Sequence, residues 1–237
     1  MRLAVIADIH GNLAALEAVL ADIRRQGADA VVCLGDVAFK GPQPAECVDR
    51  LRQLGIPCVL GNTDRWLARG LPEPVAARPG MAEILEWCRQ QLGPERIRWL
   101  GELPFAHTLN LEGLTVRAVH GSPRSEDEFT FPWLTDEELM PLLEGVAEAA
   151  VCVGHHHLPM VRRAMGKWLF GPGSVGMPGD GDTRAAYGLL VTAPGGGMEA
   201  RLVRVPYDLE ATLAVAAQRQ MPGQAAYAEA LRAGRLA

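Results

Sequence analysis

Five short apolar runs in this 237-residue chain each end in a residue able to hold a metal ion, and this pattern constrains the fold more than any other feature. The runs are Val5-Ile6-Ala7-Asp8-Ile9-His10, Val31-Val32-Cys33-Leu34-Gly35-Asp36, Cys58-Val59-Leu60-Gly61-Asn62, Val116-Arg117-Ala118-Val119-His120 and Val151-Cys152-Val153-Gly154-His155-His156-His157. Short, nearly all-apolar runs suit strands buried on both faces. After the first, Leu13, Leu16, Val19, Leu20 and Ile23 recur at helical spacing, with Asn12 placed to cap the helix and Gly27 to end it. A second helix is expected over Ala45–Leu54, with Pro44 near its start and Gly55 after its end. With strands at 2–7, 30–34 and 57–60, the first 60 residues alternate β-α-β-α-β, which implies parallel pairing through helical crossovers.

The rest of the chain adds a helical stretch over 80–101 and a hairpin of 105–111 with 114–119 around Glu112-Gly113. Thr135 with Glu138 forms a capping box that predicts a helix over 136–147. A strand at 149–153 follows, then consecutive antiparallel strands at 160–164, 167–170, 184–192 and 198–205 with Gly/Pro turns, and one or two helices over 207–235. No repeat or low-complexity linker interrupts this order. The expectation is one domain, 1–237, of two packed sheets flanked by helices.

In an open α/β sheet, ligands bind beyond the carboxyl ends of the strands. Five strand ends delivering Asp8, His10, Asp36, Asn62, His120, His155 and His157 would converge on one crevice. Asp8 and His10 are two apart, as are His155 and His157, and in extended chain such pairs point to one side. His156 then points away. Gly35, Gly61 and Gly154 precede candidate ligands, where the backbone must turn tightly or come close. Two carboxylates, one amide and four imidazoles, with no thiolate, suit Mn²⁺, Fe or Zn²⁺ and are too rich in imidazole for Ca²⁺ or Mg²⁺ alone. Seven donors exceed the needs of one such ion and suit two ions sharing a carboxylate, a device for in-line displacement at phosphorus.

Composition excludes other classes. A net charge of −5 supplies no basic excess to neutralise nucleic-acid phosphates. No apolar run approaches the ~18 residues of a membrane span, and the apolar stretch before Asp8 is too short for a signal peptide. Cysteines 33, 47, 58, 88 and 152 are odd in number and lack CxxC spacing, so they are expected as small core residues in a reducing cytoplasm.

The series Asp8-x-His10, Gly35-Asp36-x4-Gly41-Pro42, Gly61-Asn62-x-Asp64, His120-Gly121 and Gly154-His155-x-His157 resembles the calcineurin-like metallophosphoesterase superfamily. Gly171-Pro172-Gly173-Ser174-Val175-Gly176 is similar to a loop of its compact prokaryotic phosphodiesterase branch. The resemblance implies a four-layer α/β/β/α sandwich of two mixed sheets. It also implies one metal on Asp8, His10 and His157, a second on Asn62, His120 and His155, and Asp36 between them. The implied cofactors are two divalent transition metal ions, Mn²⁺ first, with Fe, Ni or Zn as alternatives. The implied reaction is hydrolysis of a small phosphodiester or phosphomonoester by hydroxide held between the ions, with Asp36, Asn62, Asp64 and His120 in catalytic roles.

The chain departs from the family pattern at Thr63, where many members place a histidine that protonates the leaving group. Threonine does not titrate near neutrality, so leaving groups needing little protonation are expected, unless His156 or His107 supplies the proton. Asp64 is expected to orient the Asn62 loop. Arg65, Arg124 and His156 are the candidate substrate contacts, the arginines as bidentate phosphate clamps. Phe129, Phe131 and Trp133 remain open between a lid, a base-stacking platform, a contact in a homo-oligomer and core packing. Alternatives are a diadenosine-polyphosphate hydrolase, a protein Ser/Thr phosphatase (against which Thr63 counts), a nuclease, and a non-catalytic scaffold of the kind whose ligands are eroded.

Overall fold

The computed structural model describes residues 1–193 and 197–235. Strand β1 (Arg2–Ile6) leads through helix α1 (Leu13–Arg25) to β2 (Ala30–Cys33), which pairs with β1 in parallel. The α1 start is capped as expected: Asn12 Oδ1 accepts the Ala15 N–H at 3.2 Å. Its buried face is Ala15, Leu16, Val19, Leu20 and Ile23, joined by Asp22. Helix α2 (Pro44–Leu54) opens on its proline and stops at Gly55 in a left-handed conformation, φ 62°. Helices α3 (Asn62–Arg69), α4 (Glu73–Ala76) and α5 (Met81–Gly101) follow. A break divides α5 at Gly93 (φ 68°, ψ 169°), just before Pro94, which has no N–H for the helical ladder.

The second half contains β3 (Ala106–Leu111), β4 (Leu114–Val119), α6 (Asp136–Leu139), β5 (Ala150–Cys152), β6 (Pro159–Ala164), β7 (Lys167–Pro172), β8 (Ala185–Ala193), β9 (Gly197–Val205), α7 (Leu209–Gln218) and α8 (Gln224–Ala233). The Gly/Pro turn expected between β8 and β9 falls at 194–196, outside the described residues. One sheet has the order β2-β1-β8-β9, the other β3-β4-β5-β7-β6, and both mix parallel and antiparallel pairs.

Three expectations need correction. Residues 57–60 form a single parallel bridge, Cys33 to Cys58, instead of a strand; the Leu60 N–H turns away to the Pro104 carbonyl and Gly61 leads straight into α3. The capping box at Thr135 and Glu138 is present, but α6 covers four residues where 136–147 was expected. Pro141 has no N–H to continue the helix, and Gly145 takes φ 72°. Turns carry Leu142, Leu143 and Val146 into the core in its place. The strands after β5 are not one antiparallel run: β7 pairs with β5 in parallel, and β8 lies in the other sheet.

The two sheets face each other across Leu3, Val5, Val32, Val116, Phe170 and Leu190, all fully buried. Each such side chain contributes roughly 1.5–3 kcal/mol. Outside the four-stranded sheet, α1, α2 and α5 cover Ala4, Ile6, Tyr187 and Leu189. Outside the five-stranded sheet, the α6 segment covers Val119, Val151 and Leu169. This is a four-layer α/β/β/α sandwich, with an outer layer on one side made of a single helical turn and loops. Among the described residues, no helix is long and apolar enough to cross a membrane.

Between the sheets, Gly188 of β8 meets the Phe170 ring of β7, which occupies the space a Cβ would need. Gly188→Ala is therefore expected to destabilise the protein by about 1–3 kcal/mol through overpacking. Urea unfolding checks this, and an unchanged midpoint would contradict the close contact.

Candidate metal centre

The seven expected donors emerge at the same end of the sandwich. Asp8 and His10 follow β1, Asp36 follows β2, Asn62 opens α3, His120 follows β4, and His155 and His157 follow β5. Donor atoms of Asp8, His10 and His157 lie within 4.8 Å of one another, and so do those of Asp36, His120 and His155. Asp36 faces both groups. Its Oδ2 is 3.6 Å from His10 Nε2 and its Oδ1 is 3.5 Å from His120 Nε2. Asn62 Oδ1 lies 2.9 Å from His120 Nε2. Asp8 and His120 are fully buried, and Asp36, His10, Asn62 and His157 nearly so.

The backbone reaches this arrangement differently from the extended i, i+2 geometry expected. Asp8, His10, Asp36, His155 and His157 all have left-handed φ, between 47° and 67°. That conformation costs an L-residue roughly 1–2 kcal/mol, so the surroundings must impose it. Asp8 N–H donates to the Gly35 carbonyl (3.1 Å), His10 N–H to Asp36 (2.9 Å) and Gly154 N–H to His120 (2.7 Å), stitching the loops together. The loop over 171–176 belongs to the same assembly, because Ser174 Oγ donates to the Asp8 carbonyl at 2.8 Å. Gly61 sits so close to Asp36 that a Cβ would strike the Asp36 carboxylate and backbone.

Asp64 completes the scaffold without joining the donors. Its carboxylate accepts the N–H groups of Asp36 (2.8 Å), Val37 (2.9 Å) and Gly61 (3.3 Å). Burial, together with Asp36, raises its pKa to about 7. Asp64 thus ties the Asp36 loop to the start of α3.

The polar contacts test whether these residues suit cations. The Nδ1 atoms of His10, His120 and His157 lie 2.8, 2.7 and 2.6 Å from the carbonyls of Phe39, Leu34 and Met177. A carbonyl can only accept, so each Nδ1 donates, and in the neutral ring Nε2 is then the nitrogen that carries the free lone pair. His10 Nε2 and His157 Nε2 then face each other at 3.1 Å with no proton between them. Asp8 Oδ2 and His155 Nε2 are buried without any hydrogen-bond partner. Burial pushes the pKa of His157 well down and that of His155 to about 3, keeping these imidazoles neutral. Burial, then the charge of Asp36, pushes Asp8 well up. Convergent lone pairs and an orphaned carboxylate oxygen fit positive ions, and N/O donors without thiolate fit divalent transition metals.

Comparison with known proteins agrees. The calcineurin-like phosphoesterase superfamily domain matches residues 1–193. The chain belongs to this superfamily. It is a metal-dependent phosphoesterase of the compact prokaryotic kind. A solved metallophosphoesterase from Sphaerobacter thermophilus is 31% identical, covers 99% of this chain and 100% of its own, and superposes with a TM-score of 0.79. An uncharacterized protein of Methanocaldococcus jannaschii is 31% identical over 93% of each chain. Phosphodiesterase YfcE of Escherichia coli is 28% identical over 80% of this chain and 87% of its own.

Beside the donors of this phosphoesterase lies a cleft of about 550 Å³, lined by His10, Asp36, Asn62, His155 and His157 and by residues the sequence did not single out, notably Lys40 and Arg78. Arg65, Arg124 and His156 are not among the lining residues. Arg65 is held by Glu126 (2.7 Å) and Asp127, and Arg124 by Glu128. His156 is buried against Gly171, with its Nδ1 accepting the Leu158 N–H. His107 lies on β3, an edge strand. Phe129, Phe131 and Trp133 form a ladder of stacked rings that ends on His155, with Phe129 4.1 Å from the His155 ring centre. Trp133 is 66% exposed and Phe129 45%, which removes the core-packing reading for these two.

Burial and the charge of Asp36 favour the protonated Asp8 carboxyl when no cation is present, so cation binding at Asp8 is expected to release protons. Affinity for Mn²⁺ is expected to rise with pH by up to about tenfold per unit. Titration calorimetry at pH 6 in buffers of different ionisation enthalpy measures the release; heats independent of buffer would contradict it.

Proposed function

We propose that this protein hydrolyses small phosphodiesters or phosphomonoesters at a dinuclear centre. Asp8, His10 and His157 would hold one divalent ion and Asn62, His120 and His155 the other, with Asp36 shared. The observation that carries the reading is Asp36, with one carboxylate oxygen turned to each buried donor group. Mn²⁺ is the ion proposed, and Fe²⁺, Ni²⁺ and Zn²⁺ suit the same donors. When bound, such ions would lower the pKa of coordinated water toward neutrality and neutralise phosphoryl oxygens.

The chain's own residues do the rest. Carbonyl-fixed imidazoles and the Asp64 tie hold the donors in place. Thr63 lines the cleft beside Asn62, and its backbone N–H donates to Asp36 Oδ1 at 2.9 Å. Its hydroxyl cannot serve as a proton donor to a leaving alkoxide near neutrality. The phosphodiesterase named among the relatives supports a diester substrate. A cytoplasmic location is part of the proposal, supported by five cysteines that are all buried and free.

Asp36→Asn, Asn62→Ala and His155→Ala, each reconstituted with Mn²⁺, are expected to abolish hydrolysis of bis(p-nitrophenyl) phosphate while keeping the folded circular dichroism spectrum. Normal turnover in all three would reject the site. The Thr63 reading has a separate test in the dependence of rate on leaving-group pKa. Wild type should favour p-nitrophenyl over alkyl leaving groups steeply, and Thr63→His should shrink that preference by roughly 10²-fold, the lower range of general acid catalysis. An unchanged slope would remove position 63 from leaving-group chemistry.

A further inference from the structure

The cleft has a second half that the metal chemistry does not explain. At about 550 Å³ it falls within the range of pockets that bind whole organic ligands, far more space than a phosphoryl group fills. Away from the donors its wall is mostly apolar: Met81 and Ile84 from α5, Met177, and Met221, Ala226 and Tyr227 from the C-terminal segment, with Glu83 of α5 the one acidic side chain among them. The last three lie beyond residues 1–193, the part that matches the superfamily domain. Met177 links the halves, since its carbonyl accepts from His157 Nδ1 while its side chain packs with Met221 and Tyr227.

Two cations border this cleft. Lys40, half-buried and held at φ 74°, and Arg78, exposed at the mouth, both line the cleft. Among the described residues neither has an acidic partner within ion-pair distance, whereas Arg65, Arg124, Arg204 and Arg219 all do. Burial lowers the Lys40 pKa and Arg78 lowers it further, against the pull of Asp36. Two like charges bordering one apolar hollow complement an anion attached to an apolar body.

We propose that this half-cleft binds the organic arm of the substrate, a ring-sized apolar body carrying a second phosphate that Lys40 and Arg78 receive. This rests on the phosphoesterase reading above and deepens it: the substrate is an extended phosphoester with two anionic groups, and α8 with the turn before it selects it.

Three esters with the same leaving group test the proposal on the Mn²⁺-loaded full chain: p-nitrophenyl methyl phosphate, p-nitrophenyl phenyl phosphate, and thymidine 3′-phosphate 5′-(p-nitrophenyl phosphate). Wild-type kcat/KM should rise along the series, by about tenfold or more overall. Ala226→Trp, which fills the arm site from its exposed mouth, should collapse the ratio of either armed ester to the methyl ester. Lys40→Met should collapse the step from the phenyl to the thymidine ester. Equilibrium dialysis of thymidine 3′,5′-bisphosphate gives a readout independent of turnover, with binding weakened about tenfold in Ala226→Trp. Equal kcat/KM for all three esters, together with equal bisphosphate binding in wild type and Ala226→Trp, overturns the arm site while leaving the phosphoesterase reading intact. Loss of bisphosphate binding in Ala226→Trp with no ester hydrolysed by wild type supports the arm site and rejects the hydrolytic reading.

Discussion

Burying carboxylates and imidazole lone pairs together is the constraint on which the rest of the structure depends. An isolated buried charge or unpaired polar atom is strongly disfavoured. Here Asp8, Asp36, His10, His120 and His157 meet in one hollow, all but sealed from water. Three imidazoles are fixed through Nδ1 so that their other nitrogens point at partners with no proton to give. Such a centre is satisfied by cations and by little else, so the fold must hold it open against its own electrostatics.

The sandwich does this by placing strained loops on a rigid base. Five donor residues take left-handed backbone conformations just beyond the strands, and packed neighbours leave no room to relax. The sheets are locked by Phe170 against Gly188, the Asp36 loop is pinned by three N–H groups on Asp64, and the Ser174 loop grips the Asp8 carbonyl. Strain of this kind persists only where the surroundings over-determine it. The same loops set one wall of the cleft, and the start of α5 with α8 and the turn before it set the other.

Much of this was legible in the chain. Asp8, His10, Asp36, Asn62, His120, His155 and His157 announced themselves because each follows an apolar run, and strand ends converge in α/β sheets. The geometry of the pairs was not legible: period-two reasoning holds within a strand, and these residues lie past the end of one. Arg65 and Arg124 looked like phosphate clamps from proximity in sequence, but Glu126, Asp127 and Glu128 sit within a few residues of Arg124 and claim both. Lys40 and Arg78 carry no such signal in the sequence, because neither belongs to a periodic pattern; their shared cleft exists only after α5 and α8 pack around it. At 57–60 and 136–147, local propensity favoured regular structure, and tertiary hydrogen bonding at Leu60 and the proline at 141 overrode it.

The most direct measurement is anomalous diffraction from crystals of the Mn²⁺-loaded protein, recorded above and below the manganese edge. Two neighbouring peaks are predicted, one among Asp8, His10 and His157 and one among Asn62, His120 and His155, with Asp36 touching both. A single peak, or peaks away from these side chains, would contradict the shared-carboxylate centre.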